Sequence, residues 1–542
     1  MKRRDFMKTT ALGAIALGQG CSSAKLGSRK LERPEHTGPG FDVHPFVKNN
    51  PNAVFICLTD VDRTTNSQAM KNWGEKLSKE LIVKVQNGGW PLSTKVTVKP
   101  NWTCAQPQDG KPVIEKLGVC SDAFFIEGWV NGMRASGPQN YYIREGSCTD
   151  QWEPMGYADM CKRASIDLNS LPRGVEIWDL EEGKDVIWKN VPDGVMLKKI
   201  AYFAPMNEPG TFLVNHAKMK SHGMGITASI KNLQGMAAGR FRNMCTPIDS
   251  IKKSYGNYLK YFYRDFDKRV MALYKQHLEA GYPRWGRPEP PNRNGLWMET
   301  WCQRELDTTS VSPTALNIVE GIYSEDGNGF GIGPHPKLGP YGVTSRDYMS
   351  NQVVFGIDPF RVDIITHWLS GHEPGNFGLF HIGIERGLSD VLDPSDIPVY
   401  LWKDGQATLA KLNDFKRTPL VTYYQQLDWG GQNEPEFHLC DEPFDYSAWK
   451  QGKKLSECTP SFRNLGVDNE GRIISELTVP KKDDVYVDVL DNSGNMIARL
   501  RAPDLEPGTH QVVWDGFVSP GLHNYYVKGM GWDAKLKEVV FT

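Results

Sequence analysis

Residues 211–235 read TFLVNHAKMKSHGMGITASIKNLQG, an apolar run that leads into a segment rich in lysine, histidine and glycine. The run at 211–214 predicts a buried strand, and ligand sites of parallel sheets lie at the carboxyl ends of strands. The small residues that follow allow a backbone to approach a ligand closely. The segment therefore predicts a site for a carboxylate or phosphate, with His222 moving a proton. The alternative is a solvated basic loop.

The predicted site combines this segment with an earlier strand end at 95–101, which reads KVTVKPN. Backbone N–H groups at the start of the helix after the glycines favour an anion. The candidate catalytic residues are His222, Lys231 and Lys220, and the candidate substrate-binding residues are Lys99, Asn101, His216, Lys218 and Asn232. For Lys99 and Asn101 the alternative is a turn made by Pro100 and capped by Asn101.

Strands alternate with helices on both sides of this segment. Strand-length apolar runs and helical spacing alternate along the chain; the runs are 53–58, 95–99, 141–145, 175–178, 315–319 and 352–355, and the helices 70–85, 122–135 and 359–369. This alternation predicts an α/β fold with a mostly parallel sheet covered by helices. Residues 246–312, with a predicted helix at 258–280, are interpreted as an insertion, either a lid over the site or a surface excursion.

The last segment has a different character. Residues 484–490 alternate strictly between polar and apolar, and turn signals separate them from apolar runs at 496–500, 510–514 and 521–527. Short strands with regular turns predict a small C-terminal all-β sandwich. Residues 508–527 resemble the immunoglobulin-like module of flagellar hook-capping proteins and the sorting domains of type IX secretion substrates. That resemblance implies an accessory role in packing, docking or sorting.

The N-terminus has the pattern of an export signal. Residues 2–8 read KRRDFMK, and an apolar run of signal length follows at 11–17. The twin arginine predicts export of the folded protein by the twin-arginine machinery, to the periplasm or the outer-membrane or cell surface of a bacterium. Cys21 is a candidate lipidation site that would tether the protein to a membrane surface. The alternative is a basic N-terminus that happens to contain Arg3 and Arg4.

These patterns give a predicted domain organisation in five parts. They are a twin-arginine signal at 1–30, a linker at 31–45, an α/β domain at 46–440 with its insertion, a second linker at 441–470, and an immunoglobulin-like β-sandwich at 471–542.

Composition excludes several classes of protein. The chain has 542 residues with 63 basic and 64 acidic side chains, so no basic excess is available for nucleic acid. None of the ten cysteines forms a C-x-x-C pair, which disfavours a zinc site or an iron–sulfur cluster. Cys104 with Cys120, or Cys148 with Cys161, are candidate disulfides for an oxidising compartment.

Four segments together, in order, resemble the domain of unknown function 362 family. They are KVTVKPN at 95–101, KMKSH at 218–222 with Lys231, Asn232 and Gly235, DGNG at 326–329, and DPFRVD at 358–363; Gly146 after a strand also fits. The family's usual Gly-Asn-Gly-Pro ends in Phe330 here, and the cysteines of the cluster domain that many members carry are missing. A looser similarity extends to the N-terminal domain of lactate racemase-like proteins, where a His, a small-residue turn and a Lys serve a nickel–pincer cofactor.

Oxygen-bearing side chains near the glycine-rich loop are candidate metal ligands. Asp326 and Asn328 either bind a cation or close a turn, and His335 is a weaker candidate. Asp358 precedes a proline and is interpreted mainly as a helix N-cap. Asp363 faces either the site or solvent. Two histidines at a helix end, His367 and His372, are of a kind that is more often structural than metal-binding.

Three hypotheses about function follow. The first is an enzyme, an isomerase or oxidoreductase, that acts on a small anionic molecule or sugar acid, with a metal or organometallic cofactor as an option. The second is a cell-surface protein that binds a ligand or glycan without catalysis. The third is a structural envelope component. Substrate, cofactor and oligomeric state are not determined by the sequence.

Overall fold

The computed structural model describes most of the α/β region and the strands of the C-terminal segment. The described residues are 31–103, 106–107, 118–145, 152–153, 155–168, 186–222, 224–242, 245–280, 294–325, 331–332, 347–420, 444–452, 461–467, 472–479, 483–490, 496–506, 508–514, 521–529 and 532–541. The N-terminal signal, Gly146, the strand at 175–178, Asp326, Asn328 and His335 lie outside them. No helix in the described ranges is long and apolar enough to cross a membrane.

The helices are α1 Pro45–Asn49, α2 Ser67–Leu81, α3 Ala123–Arg134, α4 Tyr157–Arg163, α5 Ser229–Leu233, α6 Ile248–Ser254, α7 Phe266–Ala280, α8 Asn294–Ser310, α9 Pro359–Leu369, α10 Gly378–Glu385 and α11 Tyr446–Lys450. The strands of the first region are β1 Gly40–Val43, β2 Val54–Leu58, β3 Ile82–Val85, β4 Trp90–Pro91, β5 Lys95–Pro100, β6 Gln106–Pro107, β7 Asn140–Ile143, β8 Asp167–Leu168, β9 Val186–Asn190, β10 Lys199–Phe203, β11 Phe212–His222, β12 Gly225–Thr227, β13 Leu316–Glu325, β14 Gly331–Ile332, β15 Asp347–Gly356, β16 Val399–Lys403 and β17 Gln406–Ala410.

One large sheet organises the α/β region. Ten strands form it, in the order β17-β16-β2-β15-β13-β11-β5-β7-β8, with β12 paired to β11. The consecutive run β13-β11-β5-β7-β8 is parallel, whereas β15 pairs antiparallel with both of its neighbours. The predicted α/β class with a mostly parallel sheet is therefore confirmed, as a mixed sheet. The carboxyl ends of β5, β7, β11 and β13 meet at one edge.

Each face of the sheet has its own hydrophobic core. Alternate residues of β11 point to opposite faces: Leu213 and Ala217 join the core that contains α5, α8 and α9. Phe212 and Val214 join the core that contains α2 and α3. Helices therefore cover both faces, as the alternation of strands and helices predicted.

The stretch 246–312 is helical and well packed where it is described. It contributes α6, α7 and α8, and Trp301 and Leu306 of α8 are buried in the core beside α5. The predicted helix at 258–280 is a 3₁₀ turn at Gly256–Tyr261 followed by α7. At least α8 is part of the core and not a surface excursion.

A buried histidine joins three helices of this face. His277 of α7 contacts Glu299 of α8 through Nδ1 at 2.7 Å and Glu385 of α10 through Nε2 at 2.8 Å. Burial lowers its pKa, but the two hydrogen bonds to carboxylates raise it more, to about 10. The ring is therefore an imidazolium at neutral pH, and it ties α7 and α10 to α8.

Replacing His277 with glutamine is expected to lower the free energy of unfolding by about 2 to 3 kcal/mol at pH 6, since Glu385 is half exposed and screened. The folded-state pKa lies above the unfolded value of 6.5, so this stabilisation is complete below that value and is lost as pH rises through about 10. Urea unfolding of both proteins at pH 6 and pH 10 measures this. A difference that is equal at the two pH values would contradict it.

The described residues of the C-terminal segment form two antiparallel sheets. Its strands are β18 Ser461–Val467, β19 Ile473–Val479, β20 Asp483–Leu490, β21 Met496–Leu505, β22 Gly508–Trp514, β23 Gly521–Gly529 and β24 Trp532–Phe541. They form a three-stranded sheet, β18-β19-β22, and a four-stranded sheet, β21-β20-β23-β24. This arrangement is compatible with the predicted sandwich; the immunoglobulin-like topology stays a prediction.

Each candidate disulfide has one cysteine in the described part of the chain. Cys120 and Cys161 are buried free thiols there, and their candidate partners, Cys104 and Cys148, lie outside the described residues. Burial raises the pKa of both thiols, to about 12 for Cys161. Cys120 lies in the core under helix α3, and its thiol donates to the Thr103 carbonyl at 3.5 Å.

Candidate functional site

Charged side chains gather at the carboxyl ends of the central parallel strands. Lys99 lies at the end of β5, Glu145 two residues after β7, Lys220 and His222 at the end of β11, and Glu325 at the end of β13. Each of these five residues is no more than 2% exposed. Because parallel strands end at the same edge of a sheet, the topology gathers these groups at one end of the sheet.

A buried ion pair forms the floor of the cluster. Lys99 Nζ lies 2.5 Å from Glu145 Oε2 and donates to the Pro100 carbonyl and, at 3.2 Å, to Asn232 Oδ1. Burial lowers the pKa of Lys99, and the charge of Glu145 opposes that shift. The two charges therefore neutralise each other inside the protein, and Lys99 is held in one orientation.

A chain of asparagines links the strands to α5. Asn232 of α5 donates to the Lys99 carbonyl at 2.9 Å and to Asn215 Oδ1 at 2.8 Å. Its own Oδ1 accepts from Asn101 Nδ2 at 3.1 Å, and Asn215 donates in turn to Asn317 Oδ1 at 3.0 Å. Such a buried network fixes the positions of its members. It joins β5, β11, β13 and α5 into one rigid unit.

A carboxylate from α9 holds the first turn of α5. Asp363 accepts from the backbone N–H groups of Ser229 at 2.6 Å and Ile230 at 2.8 Å. Burial raises the pKa of Asp363 to about 8 although both hydrogen bonds lower it. The cap orients the short helix that carries Lys231 and Asn232. Of the two roles considered for Asp363, the side chain faces this interior and not solvent.

Lys220 and His222 are the titratable groups at the end of β11. Burial lowers the pKa of Lys220 to about 8, with the charge of Lys231 acting in the same direction. Burial also lowers the pKa of His222 well below its ordinary value, helped by the charges of Lys231 and Lys220. His222 Nδ1 accepts from the Met224 N–H at 3.0 Å. The neutral ring therefore carries its proton on Nε2.

Helix α8, which packs against α5, adds an acid and an aromatic ring to the cluster. Glu305 is fully buried, and neither of its carboxyl oxygens has a hydrogen-bond partner in the described part of the chain. Burial raises its pKa well above the ordinary value, with the nearby charge of Lys231 opposing this. Trp301 lies one helical turn before Glu305 on α8, and the centre of its ring is 5.9 Å from Lys231 Nζ. Lys231 itself is only 7% exposed.

Two predicted substrate-binding residues lie elsewhere. His216 is fully buried beside the rings of Phe125 and Trp129 of α3. Lys218 is fully buried in an ion pair with Glu320 at 2.7 Å, with its ammonium 3.5 Å from the centre of the Tyr323 ring. Both side chains face the core under α2 and α3. The structure does not bring them to the cluster, because alternation along β11 directs them to that face.

Other candidates have structural roles. Asp358 accepts from the N–H groups of Phe360 and Arg361 and caps α9, which confirms the predicted N-cap with Pro359 in the first turn. His367 contacts the Asp363 carbonyl and His372 the Leu420 carbonyl. Among the described residues no group of three or more His, Cys, Asp or Glu side chains is arranged to hold a metal ion.

Several residues of the cluster were not singled out from the sequence. Glu145, Asn215, Glu305 and Asn317 belong to it, and Glu325 lies at its edge. Glu145 follows the apolar strand β7 and Glu325 ends the apolar strand β13. This position at a strand end is the sequence feature that could have indicated both as site residues. The local sequence does not mark Glu305 as a site residue. It lies in the middle of α8, a helix without a distinct apolar face, and the helix it packs against, α5, lies about seventy residues earlier.

A glycine is required where α5 ends. An added Cβ at Gly235 would lie 2.6 Å from Glu145 Oε1 and 2.7 Å from Lys99 Nζ. Gly235→Ala is therefore expected to displace the Lys99–Glu145 pair and to lower the free energy of unfolding by about 1 to 3 kcal/mol. Gly38→Ala, where only the half-buried ring of His36 lies nearby, is the control. Urea unfolding of both variants checks this, and equal stabilities would contradict it.

The fold and site define an α/β protein with a buried cluster of charges at its strand ends. The family model described as "Domain of unknown function (DUF362)" matches residues 96–366, half of the chain, and includes this cluster. The chain belongs to this family, as the four sequence segments predicted. No curated protein and no solved structure matches the chain.

Proposed function

We propose that this protein is an enzyme, an isomerase or oxidoreductase, that moves a proton on a small anionic molecule such as a sugar acid. One observation carries the proposal: Lys220, Lys231 and Glu305 are buried together, with shifted pKa values for Lys220 and Glu305, at the carboxyl ends of parallel strands. Clusters of titratable groups with shifted pKa values are typical of acid–base sites.

The charge and the hydrogen bonds of each candidate residue indicate its role in the proposed reaction. Lys231 supplies positive charge for the anion, while Lys99 and Asn232, already paired, hold the site in shape. Lys220 is the proton acceptor, since an amine with a pKa of about 8 is partly neutral under ordinary conditions. His222 donates a hydrogen bond through Nε2 instead of accepting a proton, because its Nδ1 is occupied. Asp326 and Asn328 stay predicted metal ligands.

The test is proton exchange in D₂O. The full chain is incubated with a panel of carboxylic and sugar acids, and deuterium uptake at carbon is followed by proton NMR. Uptake with one class of acid, lowered at least tenfold in Lys231→Met but unchanged in the exposed-site control Lys260→Met, supports the proposal. Saturable binding of an acid or glycan without any uptake would favour the alternative, a cell-surface binding protein.

We also propose that residues 1–30 direct export through the twin-arginine machinery and that Cys21 is lipidated. The basis is the KRRDFMK sequence, the apolar run after it and the small residues around Cys21. The C-terminal strands are proposed to form an immunoglobulin-like accessory module. Fractionation of cells that express the chain with Arg3 and Arg4 changed to lysine tests export: retention of the variant inside the cell is the expected result.

A further inference from the structure

Glu305 is the most unusual side chain of the cluster. It has no exposed surface, and no donor lies within hydrogen-bond distance of either carboxyl oxygen in the described residues. A buried polar group without a partner costs free energy, and an ionised one costs more. Such a group is retained where a ligand supplies the missing partner.

Charged groups from four elements act on Glu305. Lys231 of α5 and Lys99 of β5 are the cations that reach it, together with Arg304 of its own helix; Asp363 of α9 is the facing acid. On the far side of α8, Glu299 is engaged with His277 of α7 and Glu385 of α10. Lys99 is already paired with Glu145, and Arg304 donates to the Tyr255 hydroxyl at 3.2 Å, so Lys231 is the cation proposed to meet a ligand beside Glu305.

The geometry gives Glu305 the properties of a neutral acid. A carboxylate needs donors, and none is in place, whereas a protonated carboxyl carries its own O–H donor. Trp301, one turn earlier on the same face of α8, excludes water beside Lys231. A donor and a cation that converge in a dry interior are suited to an oxygen atom that gains negative charge.

Building on the function proposed above, we propose that Glu305 and Lys231 together bind the carbonyl oxygen of the substrate, which is a 2-oxo acid or the carbonyl form of a sugar acid. Lys220 removes the proton from the carbon next to the carbonyl. The C–H electron pair forms a C=C bond, and the carbonyl π pair moves to oxygen. The enolate oxygen is stabilised by the Glu305 O–H and the Lys231 ammonium. Return of a proton to the opposite face of that carbon inverts its configuration and completes an isomerisation without any oxidant, whereas return to the same face leaves the substrate unchanged apart from exchange with solvent.

Infrared difference spectroscopy of the full chain tests the protonation of Glu305, with oxalate as the probe because it resembles the enolate of a 2-oxo acid. The expected result at pH 7 is a C=O band of a protonated carboxyl that shifts when oxalate is added. The band should be missing in Glu305→Gln and present in Glu32→Gln, a change at an exposed carboxylate. A wild-type spectrum without this band, or a band that oxalate leaves in place, overturns the proposal.

Oxalate affinity, measured by calorimetry, separates a neutral donor from a carboxylate. Glutamine keeps an N–H donor, so Glu305→Gln is expected to hold affinity within about threefold, while Glu305→Leu loses at least tenfold. Equal losses in the two variants contradict the proposal. Exchange of 2-oxo acid protons that persists in Glu305→Leu would overturn this inference and leave the proposed function standing. A shifting band without exchange for any acid would overturn the proposed function, and proton removal by Lys220 with it, and would leave only the binding of an oxyanion by Glu305 standing.

Discussion

Replacing Lys218 with methionine is expected to lower the free energy of unfolding by about 3 to 5 kcal/mol, the largest stability effect among these variants. Lys218 and Glu320 are both fully buried, and their charged atoms lie 2.7 Å apart. Removing the ammonium leaves Glu320 without its cation, beside Asp122, in a place where burial already raises its pKa. The change acts on the fold because this pair lies under α3, away from the cluster.

Urea unfolding at pH 7 measures this effect. The matched control is Lys79→Met, which removes an exposed pair with Glu75 on α2 and is expected to change stability by less than about 0.5 kcal/mol. The double variant Lys218→Met with Glu320→Leu should recover a large part of the loss, because an apolar pair does not need desolvated charges. A Lys218→Met protein as stable as the control would show that the pair is not needed for folding.

Replacing Lys220 with methionine is expected to reduce proton exchange at least a thousandfold without any loss of stability at pH 7. The amine is the proposed proton acceptor, and methionine cannot take a proton. The folded-state pKa of about 8 lies below the unfolded value of 10.5. Burying the ammonium therefore costs free energy, about 3 kcal/mol at most, in all solutions below pH 8.

The lowered pKa of Lys220 also predicts how the free energy of unfolding changes with pH. The unfolded chain binds the Lys220 proton more tightly, so the stability of the natural protein rises with pH between 8 and 10.5. Lys220→Met should be more stable than the natural protein by about 1 to 3 kcal/mol at pH 7, partly offset by the loss of the Glu325 contact, and the difference should shrink toward pH 10.5. A variant less stable at pH 7 would mean that Lys220 serves the fold, as Lys218 does.

Lys218 and Lys220 also show how far the sequence could separate a structural lysine from the proposed proton acceptor. Strict alternation along a strand assigns both side chains to the same face. The pairing of β11 with β13 shifts register here: Lys218 pairs with Glu320 but Lys220 with Glu325, because β13 carries the extra residues, so the two lysines meet different partners. The bulge depends on the partner strand, so the local pattern of residues 211–235 does not reveal it.

The sequence by itself determined the class of fold and the edge of the sheet at which the cluster lies. Hydrophobic periodicity and turn residues are local properties, and they predicted the strand at 95–99, the start of β11 and the helix at 359–369. Only the tertiary structure decided which polar groups meet there. Glu145, Glu305 and Asp363 reach Lys99, Lys231 and α5 from distant elements, and the interaction of buried charges depends on distance in space rather than on separation along the chain.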